Sequence, residues 1–244
     1  MNYKLTIAYD GSRYDGWQKQ GNTDNTLQGK LEAVFSRLAG EPVELHGAGR
    51  TDAGVHAEAQ TASIRLKTPL SPAEILSYVN QYLPDDIAVT AVEEAPERFH
   101  ARLNAVGKVY RYSLRVGDIP DVFRRKYQYR IPDHPDIAAM REAAALLTGQ
   151  HDFKAFCSNK RYKKSTVRTV YDIDIRTDGS NIDIYYHGDG FLYNMVRIMT
   201  GTLLEVGLGS RKAGDIPAVL ASLDRSLAGK TAPAQGLCLV KVEY

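Results

Sequence analysis

The chain opens with the stretch Tyr3-Lys4-Leu5-Thr6-Ile7-Ala8-Tyr9, in which apolar and polar residues alternate. This alternation predicts a half-buried β-strand, because successive side chains of a strand point to opposite faces of a sheet. A helical pattern follows, with apolar residues at positions 27, 31, 34, 35 and 38 and with Gly40 after its end. Asn25 and Gln28 have the spacing of a capping box, which predicts that this helix begins at Asn25.

The next segments complete a recognisable order of elements. Strands are predicted over residues 43–45 and 59–66, on either side of a glycine-rich loop. A second helix is predicted to begin at Ser71, with Pro72 at its first position and Glu74 completing a capping box. A strand over residues 87–92 follows. The order strand, helix, strand, strand, helix, strand is that of the ferredoxin-like or split βαβ arrangement.

The rest of the chain shows a similar mixture of elements. Strands are predicted over 99–114 and 237–242, a hairpin over 170–175 and 182–186, and helices over 136–147, 191–206 and 213–223. We therefore predict an α+β fold of two ferredoxin-like or RRM-like halves, residues 1–104 and 105–244. The halves are expected to share a central, mainly antiparallel sheet with helices on one face, because no Pro/Ser-rich linker separates them.

Composition narrows the class of protein. An apolar fraction of 43% and a charged fraction of 25% over 244 residues are typical of a soluble globular protein. The net charge is only +2, so nucleic-acid binding would need a local basic face. Cys157 and Cys238 are far apart, no His/Cys spacing indicates a metal site, and no run approaches the roughly 20 apolar residues of a membrane span. We expect a reduced, cytoplasmic protein without metal.

One loop carries the strongest chemical signal, and it contains a single carboxylate, Asp52, between glycines and close to Arg50. An arginine at this distance can keep a carboxylate ionised and oriented. An aspartate near glycine most often stabilises its own turn, but the density of glycine, arginine and threonine favours a function. A dinucleotide site is excluded, because Asp52 stands where the third glycine of that motif belongs. The loop reads Gly47-Ala48-Gly49-Arg50-Thr51-Asp52-Ala53-Gly54-Val55-His56-Ala57.

Three other features have both a structural and a functional interpretation. Arg197 lies in a predicted apolar helix, where it either pairs with a buried carboxylate or extends to the surface. Tyr110 lies within a predicted strand and either packs, stacks on a base or acts on a proton. Two basic segments are either solvated surface or phosphate contacts: Arg124, Arg125 and Lys126, and the run Lys160, Arg161, Lys163 and Lys164.

The sequence resembles the tRNA pseudouridine synthase A family over nearly its whole length. The loop from Gly47 to Ala57 is the most specific match to that family. Further segments are similar in the same order along the chain: Tyr9-Asp10-Gly11-Ser12, Gly16-Trp17-Gln18, Phe99-His100-Ala101-Arg102, Tyr110-Arg111-Tyr112, residues 191–197, and Thr231-Ala232-Pro233-Ala234-Gln235-Gly236-Leu237.

The resemblance implies an enzyme that isomerises uridine to pseudouridine at positions 38, 39 and 40 of tRNA, in the anticodon stem-loop. It implies that Asp52 is the nucleophile, that Tyr110 stacks on the target base, and that Arg50 and Arg197 contact the aspartate or the flipped nucleotide. It also implies a homodimer in which each tRNA contacts both subunits, and a reaction without metal or cofactor. Because Asp52 lies in the first half and Tyr110 and Arg197 in the second, we expect the active site in a cleft between the halves.

The chemistry of this isomerisation agrees with the residues present. The reaction breaks the N1–C1′ bond, turns the base and joins C5 to C1′, so it is redox-neutral. It requires a carboxylate that attacks either C1′ or C6 and a pocket for a base taken out of its stack. The sequence leaves open which atom is attacked and which residue removes the C5 proton. Two other classes remain: a non-catalytic RNA-binding module, and an enzyme that acts on a free sugar or nucleoside.

Overall fold

A computed structural model describes residues 1–244. By their internal contacts the residues form two compact units. Unit 1 comprises Met1–Val106 together with Cys238–Tyr244, and unit 2 comprises Gly107–Leu237. The predicted division into functional halves at residues 104 and 105 stays a prediction.

Unit 1 contains five strands and two helices. The strands are β1 (Asn2–Tyr9), β2 (Leu45–Gly47), β3 (His56–Arg65), β4 (Ile87–Ala95) and β10 (Leu237–Glu243), of which the last begins at the boundary with unit 2. The helices are α1 (Leu27–Ala39) and α2 (Pro72–Tyr82).

The strand pairing in unit 1 is that of a split βαβ arrangement. Strand β1 is antiparallel to β3 and to β4, and β2 is also antiparallel to β3. It follows that β1 and β2, which α1 connects, are parallel to each other with β3 between them. Strand β10 joins β3 in parallel register at His56 and Ala57. The ferredoxin-like order predicted for the first half is therefore confirmed.

The core of unit 1 follows the predicted periodicities. Every second residue of β1, from Tyr3 to Tyr9, is buried. Helix α1 buries Leu27, Leu31 and Phe35 on one side, as its spacing of apolar residues predicts. At the start of α2, Ser71 and Glu74 form the predicted capping box, in which each side chain accepts a hydrogen bond from the backbone N–H of the other residue.

The predicted start of α1 is wrong by one residue. Thr26, and not Asn25, is the N-cap, and its hydroxyl accepts a hydrogen bond from the N–H of Gly29 at 3.2 Å. The Asn25 amide instead donates to the backbone carbonyl of Arg13 in the preceding loop. This side chain therefore holds a distant loop and is not available to the helix end.

Unit 2 contains five strands and three α-helices. The strands are β5 (Gly107–Val116), β6 (Tyr129–Ile131), β7 (Gly149–Asp152), β8 (Val167–Asp178) and β9 (Asn181–Gly188). The helices are α3 (Ile137–Leu147), α4 (Met195–Gly207) and α5 (Ile216–Ser222). Strands β5, β9, β8 and β7 pair in that order, all antiparallel, and β6 lies parallel to β5.

A predicted strand and a predicted helix begin later in the chain than expected. The strand predicted from residue 99 begins only at Gly107, because the N–H groups of Leu103 and Asn104 both donate to the carbonyl of His100 and form a turn. The helix predicted from residue 191 begins at Met195, because Asn194 takes the left-handed conformation with φ of 62°. Residues 191–194 are thus a separate segment that leads into α4.

Both units combine α-helices with mainly antiparallel strand pairs, so the predicted α+β class is confirmed. No helix of the structure has the length and the apolar composition needed to cross a membrane. Neither Cys157 nor Cys238 takes part in a disulfide, and both are buried.

Candidate functional site

The candidate nucleophile lies in the loop that leads from β2 to β3. Asp52 is partly exposed, whereas the residues before it in the loop are anchored to β3. The N–H of Ala48 donates to the carbonyl of Thr61 at 2.7 Å, and the Gln60 amide donates to the carbonyl of Gly49 at 3.0 Å. The carbonyl of Asp52 accepts from the N–H of Val55 at 3.1 Å and closes a turn. The backbone that carries the carboxylate is therefore well defined.

Thr51 fixes the position of the loop immediately before Asp52. Its side-chain oxygen lies 2.8 Å from the hydroxyl of Tyr9, at the end of β1, and both groups are buried. Its backbone carbonyl accepts a hydrogen bond from the N–H of Trp17 at 3.0 Å. One side chain and one backbone group from outside the loop thus determine where Asp52 lies.

The loop of residues 10–18 packs against the Asp52 loop at distances that only glycine permits. A Cβ atom at Gly11 would lie 1.9 Å from the carbonyl oxygen of Val55. A Cβ atom at Gly16, whose φ is +95°, would lie 2.9 Å from the carbonyl oxygen of Thr51. Because real Cβ contacts are longer than either distance, a larger residue at these positions would displace the Asp52 loop.

His56 connects the same two loops. Its Nδ1 accepts a hydrogen bond from the N–H of Gly11 at 3.1 Å and lies 3.3 Å from Oδ1 of Asp10. The ring is buried at the end of the loop that carries Asp52.

Arg50 is the exposed arginine of the loop. Its Nε donates to Oε1 of Gln18 at 3.1 Å. The Gln18 amide in turn donates to Oε1 of Gln28 in α1 at 2.7 Å. The guanidinium is therefore held at the start of α1, and its predicted pairing with Asp52 stays a prediction.

The loop of residues 10–18 has its own anchor at Asp86. The Tyr14 hydroxyl donates to one carboxylate oxygen at 2.6 Å, and the Arg13 guanidinium donates to the other. Partial burial raises the pKa of the Asp86 carboxyl, but the hydrogen bonds from Tyr14 and Arg13 outweigh this effect and leave the pKa below its ordinary value of 3.8. Burial and the Asp86 charge raise the pKa of Tyr14 to about 12.

In unit 2, the segment of residues 191–197 contacts one predicted site residue, Tyr110, and contains another, Arg197. The ring of Phe191 lies edge-on to that of Tyr110, with centroids 5.3 Å apart. Six residues later, the Arg197 guanidinium donates to Oδ1 of Asn194 at 2.9 Å and to the carbonyl of Ala232 at 2.7 Å. The planar group of Arg197 is therefore oriented by two fixed acceptors.

Tyr112 supports Arg197 from β5. Burial strongly raises the pKa of Tyr112, and the nearby charge of Arg197 lowers it by less. The phenol therefore stays protonated and donates to the carbonyl of Pro233 at 2.7 Å. This bond and the one from Arg197 to Ala232 fix the segment of residues 231–237, which the sequence analysis identified as a motif without assigning it a structural role.

The predicted RNA-binding run lies in an exposed loop between β7 and β8. Its four cations, Lys160, Arg161, Lys163 and Lys164, are all exposed. The loop begins close to the segment of residues 191–197, because the N–H of Ser158 donates to the carbonyl of Tyr193 at 3.1 Å. No group of three or more histidine, cysteine, aspartate or glutamate side chains is arranged to hold a metal ion.

The structure thus gives supporting roles to four residues that the sequence placed in family-like segments without a role of their own. Tyr9 and Trp17 hold the residue before Asp52, and Asn194 and Tyr112 hold Arg197 and its neighbouring segment. The available signal was the presence of glycines at 11 and 16, since glycine permits close backbone approach. The placement of the active site in a cleft between the halves stays a prediction.

A partly exposed carboxylate held at a fixed position can act as the nucleophile of an enzyme. Comparison with known proteins identifies the family of enzymes to which the chain is similar. The model of the family described as tRNA pseudouridine synthase matches residues 5–104 and 143–244.

Curated relatives agree over the full length. A protein from Bacillus sp. (strain KSM-64) named tRNA pseudouridine synthase A is 48% identical over 100% of this chain and 99% of its own. A protein from Bacillus anthracis named tRNA pseudouridine synthase A 2 is 45% identical, and one of that name from Clostridium perfringens (strain 13 / Type A) is 44% identical, each with the same coverage. The chain belongs to the tRNA pseudouridine synthase family.

Proposed function

We propose that the protein isomerises uridine to pseudouridine at positions 38, 39 and 40 in the anticodon stem-loop of tRNAs, with Asp52 as the nucleophile. Family membership over the whole chain supports the reaction and the substrate. The observation that supports the role of Asp52 is the anchoring of Thr51, the residue before it, by Tyr9 and Trp17. This anchoring keeps one partly exposed carboxylate at a defined position, as a nucleophile requires.

In the proposed reaction the carboxylate of Asp52 first bonds to the uridine and is later released. Asp52 attacks C1′ or C6 of the uridine, the N1–C1′ bond breaks, and the base turns within the site. C5 then bonds to C1′, the C5 proton is lost to a base, N1 takes up a proton, and the carboxylate is released unchanged, so that the product has the composition of the substrate. No electron is gained or lost overall, so the proposal includes no cofactor and no metal.

Tyr110, Arg50 and Arg197 are proposed to bind the nucleotide that leaves the stack. A base outside its helix needs an aromatic or apolar surface, and its phosphates need positive charge. The ring of Tyr110 is held in a T-shaped contact by Phe191, and Arg197 is oriented by Asn194. These supports reduce the conformational entropy that each side chain would lose on binding RNA.

The exposed run of Lys160, Arg161, Lys163 and Lys164 is proposed to contact the phosphates of the tRNA. Cations on an exposed loop next to the segment of residues 191–197 suit this role, because phosphate contacts position a nucleic acid without reading its sequence. We further propose that the protein is a cytoplasmic homodimer in which each tRNA contacts both subunits.

The substitution Asp52→Asn tests the proposed function. It keeps the shape of the side chain and removes the nucleophile, so the release of tritium from C5-labelled uridine in whole tRNA should fall to background. Binding of tRNA, measured by filter retention, should stay within about threefold of the wild type, because the phosphate contacts that dominate affinity are unchanged. Asp85→Asn removes an exposed carboxylate elsewhere in unit 1 and should leave both measurements unchanged.

Full tritium release by Asp52→Asn would exclude the nucleophilic role of Asp52. The same assay distinguishes the other two classes of function. Binding of tRNA by the wild type without any tritium release would indicate an RNA-binding module. Release from free uridine at the same rate as from tRNA would indicate an enzyme that acts on nucleosides.

A further inference from the structure

The most exposed apolar side chains of unit 2 lie in one loop. Residues 119–127, here called the 119–127 loop, connect β5 to β6. Phe123 is 88% exposed and Ile119 is 82% exposed, and Val122 and Tyr127 are also exposed. A cluster of apolar groups in water is unfavourable and indicates a surface that a partner covers. The loop lies outside residues 5–104 and 143–244, which the family model matches.

The loop is ordered in spite of this exposure. The carboxylate of Asp121 accepts hydrogen bonds from the N–H groups of Phe123 and Arg124, each at 3.1 Å. The N–H of Tyr127 donates to the carbonyl of Arg124 at 2.8 Å, and the Arg125 guanidinium donates to the carbonyl of Val122. The ring of Phe123 is therefore presented to solvent by a fixed backbone.

The base of the loop is connected to the segment that orients Arg197. The amide of Gln235 donates to the carbonyl of Gln128 at 3.1 Å and to that of Arg125 at 3.4 Å. Three residues earlier, the carbonyl of Ala232 accepts from Arg197. The short segment of residues 232–235 thus contacts both Arg197, which is proposed to bind the target nucleotide, and the 119–127 loop.

The charge of the loop selects among possible partners. Arg124, Arg125 and Lys126 follow Phe123 directly, and Asp121, the one acidic residue of the loop, uses its carboxylate to cap the turn. An exposed ring next to consecutive cations suits a polyanion with accessible flat groups, which is the chemistry of unpaired nucleotides. A second copy of the chain would have to bring compensating acidic groups to the same place.

We propose that the 119–127 loop binds unpaired nucleotides of the tRNA substrate, with one base stacked on Phe123 and the neighbouring phosphates paired with Arg124 and Arg125. This inference rests on the proposed function, since it takes tRNA as the substrate. It adds a contact outside the target nucleotide. Such a contact holds the anticodon loop while Tyr110 and Arg197 bind the uridine.

A series of substitutions at Phe123 tests the stacking. Phe123→Ala and Phe123→Leu should each raise the Kd for whole tRNA by about 5-fold to 100-fold, since stacking on an aromatic ring is lost. Phe123→Trp should retain the wild-type Kd. Because the Phe123 side chain is 88% exposed, none of these changes should alter the melting temperature. Leu103→Ala, at a position 78% exposed in unit 1, is the control and should bind tRNA normally.

The salt dependence of binding tests the cations. Each phosphate contact that is lost from a single-stranded segment should reduce the slope of log K against log salt by about 0.7. Arg124→Ala and Arg125→Ala should therefore each reduce the slope by about that amount, and Lys67→Ala, an exposed lysine of unit 1, should not.

Two results would overturn this proposal. One is an unchanged Kd for Phe123→Ala and Phe123→Leu. The other is a loss of self-association of Phe123→Ala in sedimentation velocity, which would assign the loop to a second copy of the chain whatever the change in Kd, because each tRNA is proposed to contact both subunits. A wild-type protein that binds tRNA but releases no tritium would refute the proposed function, whereas the binding series alone decides the role of the loop.

Discussion

The substitution Gly16→Ala is the most direct test of how the Asp52 loop is positioned. Gly16 lies in the loop of residues 10–18 and touches none of the atoms proposed to react. Its φ is +95°, and an added Cβ would lie 2.9 Å from the carbonyl oxygen of Thr51 and 3.3 Å from the carbonyl carbon of Asp52. A single methyl group would therefore press on the backbone that carries the carboxylate.

The loss of unfolding free energy expected for Gly16→Ala has two contributions. The unfavourable φ of a non-glycine residue costs about 1–2 kcal/mol, and overpacking against backbone costs about 1–3 kcal/mol. The methyl must also move about 0.5 Å away from Thr51 to reach ordinary contact at 3.4 Å. Because a misplacement of 1 Å can reduce a rate about 100-fold, this displacement predicts a decrease in kcat of about tenfold.

Gly40→Ala is a matched control for the backbone contribution. Gly40 ends α1 with φ of +69°, and a Cβ at this position meets nothing within 4 Å. The control should lose about 1–2 kcal/mol of unfolding free energy and should keep its kcat. Gly16→Ala should lose more stability than the control and should also lose kcat.

Urea denaturation gives the free energy of unfolding, and tritium release at saturating tRNA gives kcat. The reasoning would be refuted if Gly16→Ala had the kcat of the wild type. It would also be refuted if Gly40→Ala lost kcat to the same extent, because the decrease would then reflect lower stability and not a displaced loop.

Two further predictions concern the supports of the same loop. Tyr9→Phe removes the hydroxyl 2.8 Å from the buried oxygen of Thr51 and should cost about 1–3 kcal/mol of unfolding free energy. Its kcat should fall while its KM changes little, whereas the control Tyr3→Phe in the same strand should change neither constant. An unchanged kcat for Tyr9→Phe would contradict the role of this bond. The pKa of Asp86 is below its ordinary value of 3.8 in the folded protein. Ionised Asp86 therefore stabilises the folded state at pH values above 3.8, and this stabilisation is lost as the pH falls through the lowered pKa of the folded state. Asp86→Asn should therefore have a lower urea midpoint than the wild type at pH 6, and the difference should shrink as the pH falls through the lowered pKa of Asp86. A difference that stays constant as the pH falls would exclude the linkage.

Local patterns predicted most of the helices and strands. The alternation from Tyr3 to Tyr9 depends only on which side of a strand is buried, and the capping box of Ser71 and Glu74 depends only on residues three apart. The same reasoning placed the end of α1 at Gly40. Errors arose where a side chain binds a distant group, as the Asn25 amide binds the carbonyl of Arg13.

Residues 191–194 show the same limit. Their apolar composition is compatible with a helix, yet Phe191 contacts Tyr110 and the carbonyl of Tyr193 accepts from Ser158. These contacts compete with the helical hydrogen bonds and delay the start of α4 to Met195. The composition of a segment therefore does not predict which distant residues it will contact.

The sequence by itself determined the α+β class, the order of elements in unit 1 and the identity of the candidate nucleophile, because each depends on spacing and on residue type within a short window. It did not predict β6 and β7 of unit 2, which are only three and four residues long. The tertiary structure decided how that nucleophile is held. Tyr9 and Thr51 are 42 residues apart, and Tyr112 and Pro233 are 121 apart, and each pair meets in a hydrogen bond. Such bonds form only when packing of the core has brought distant segments together, so no local pattern of residues specifies them.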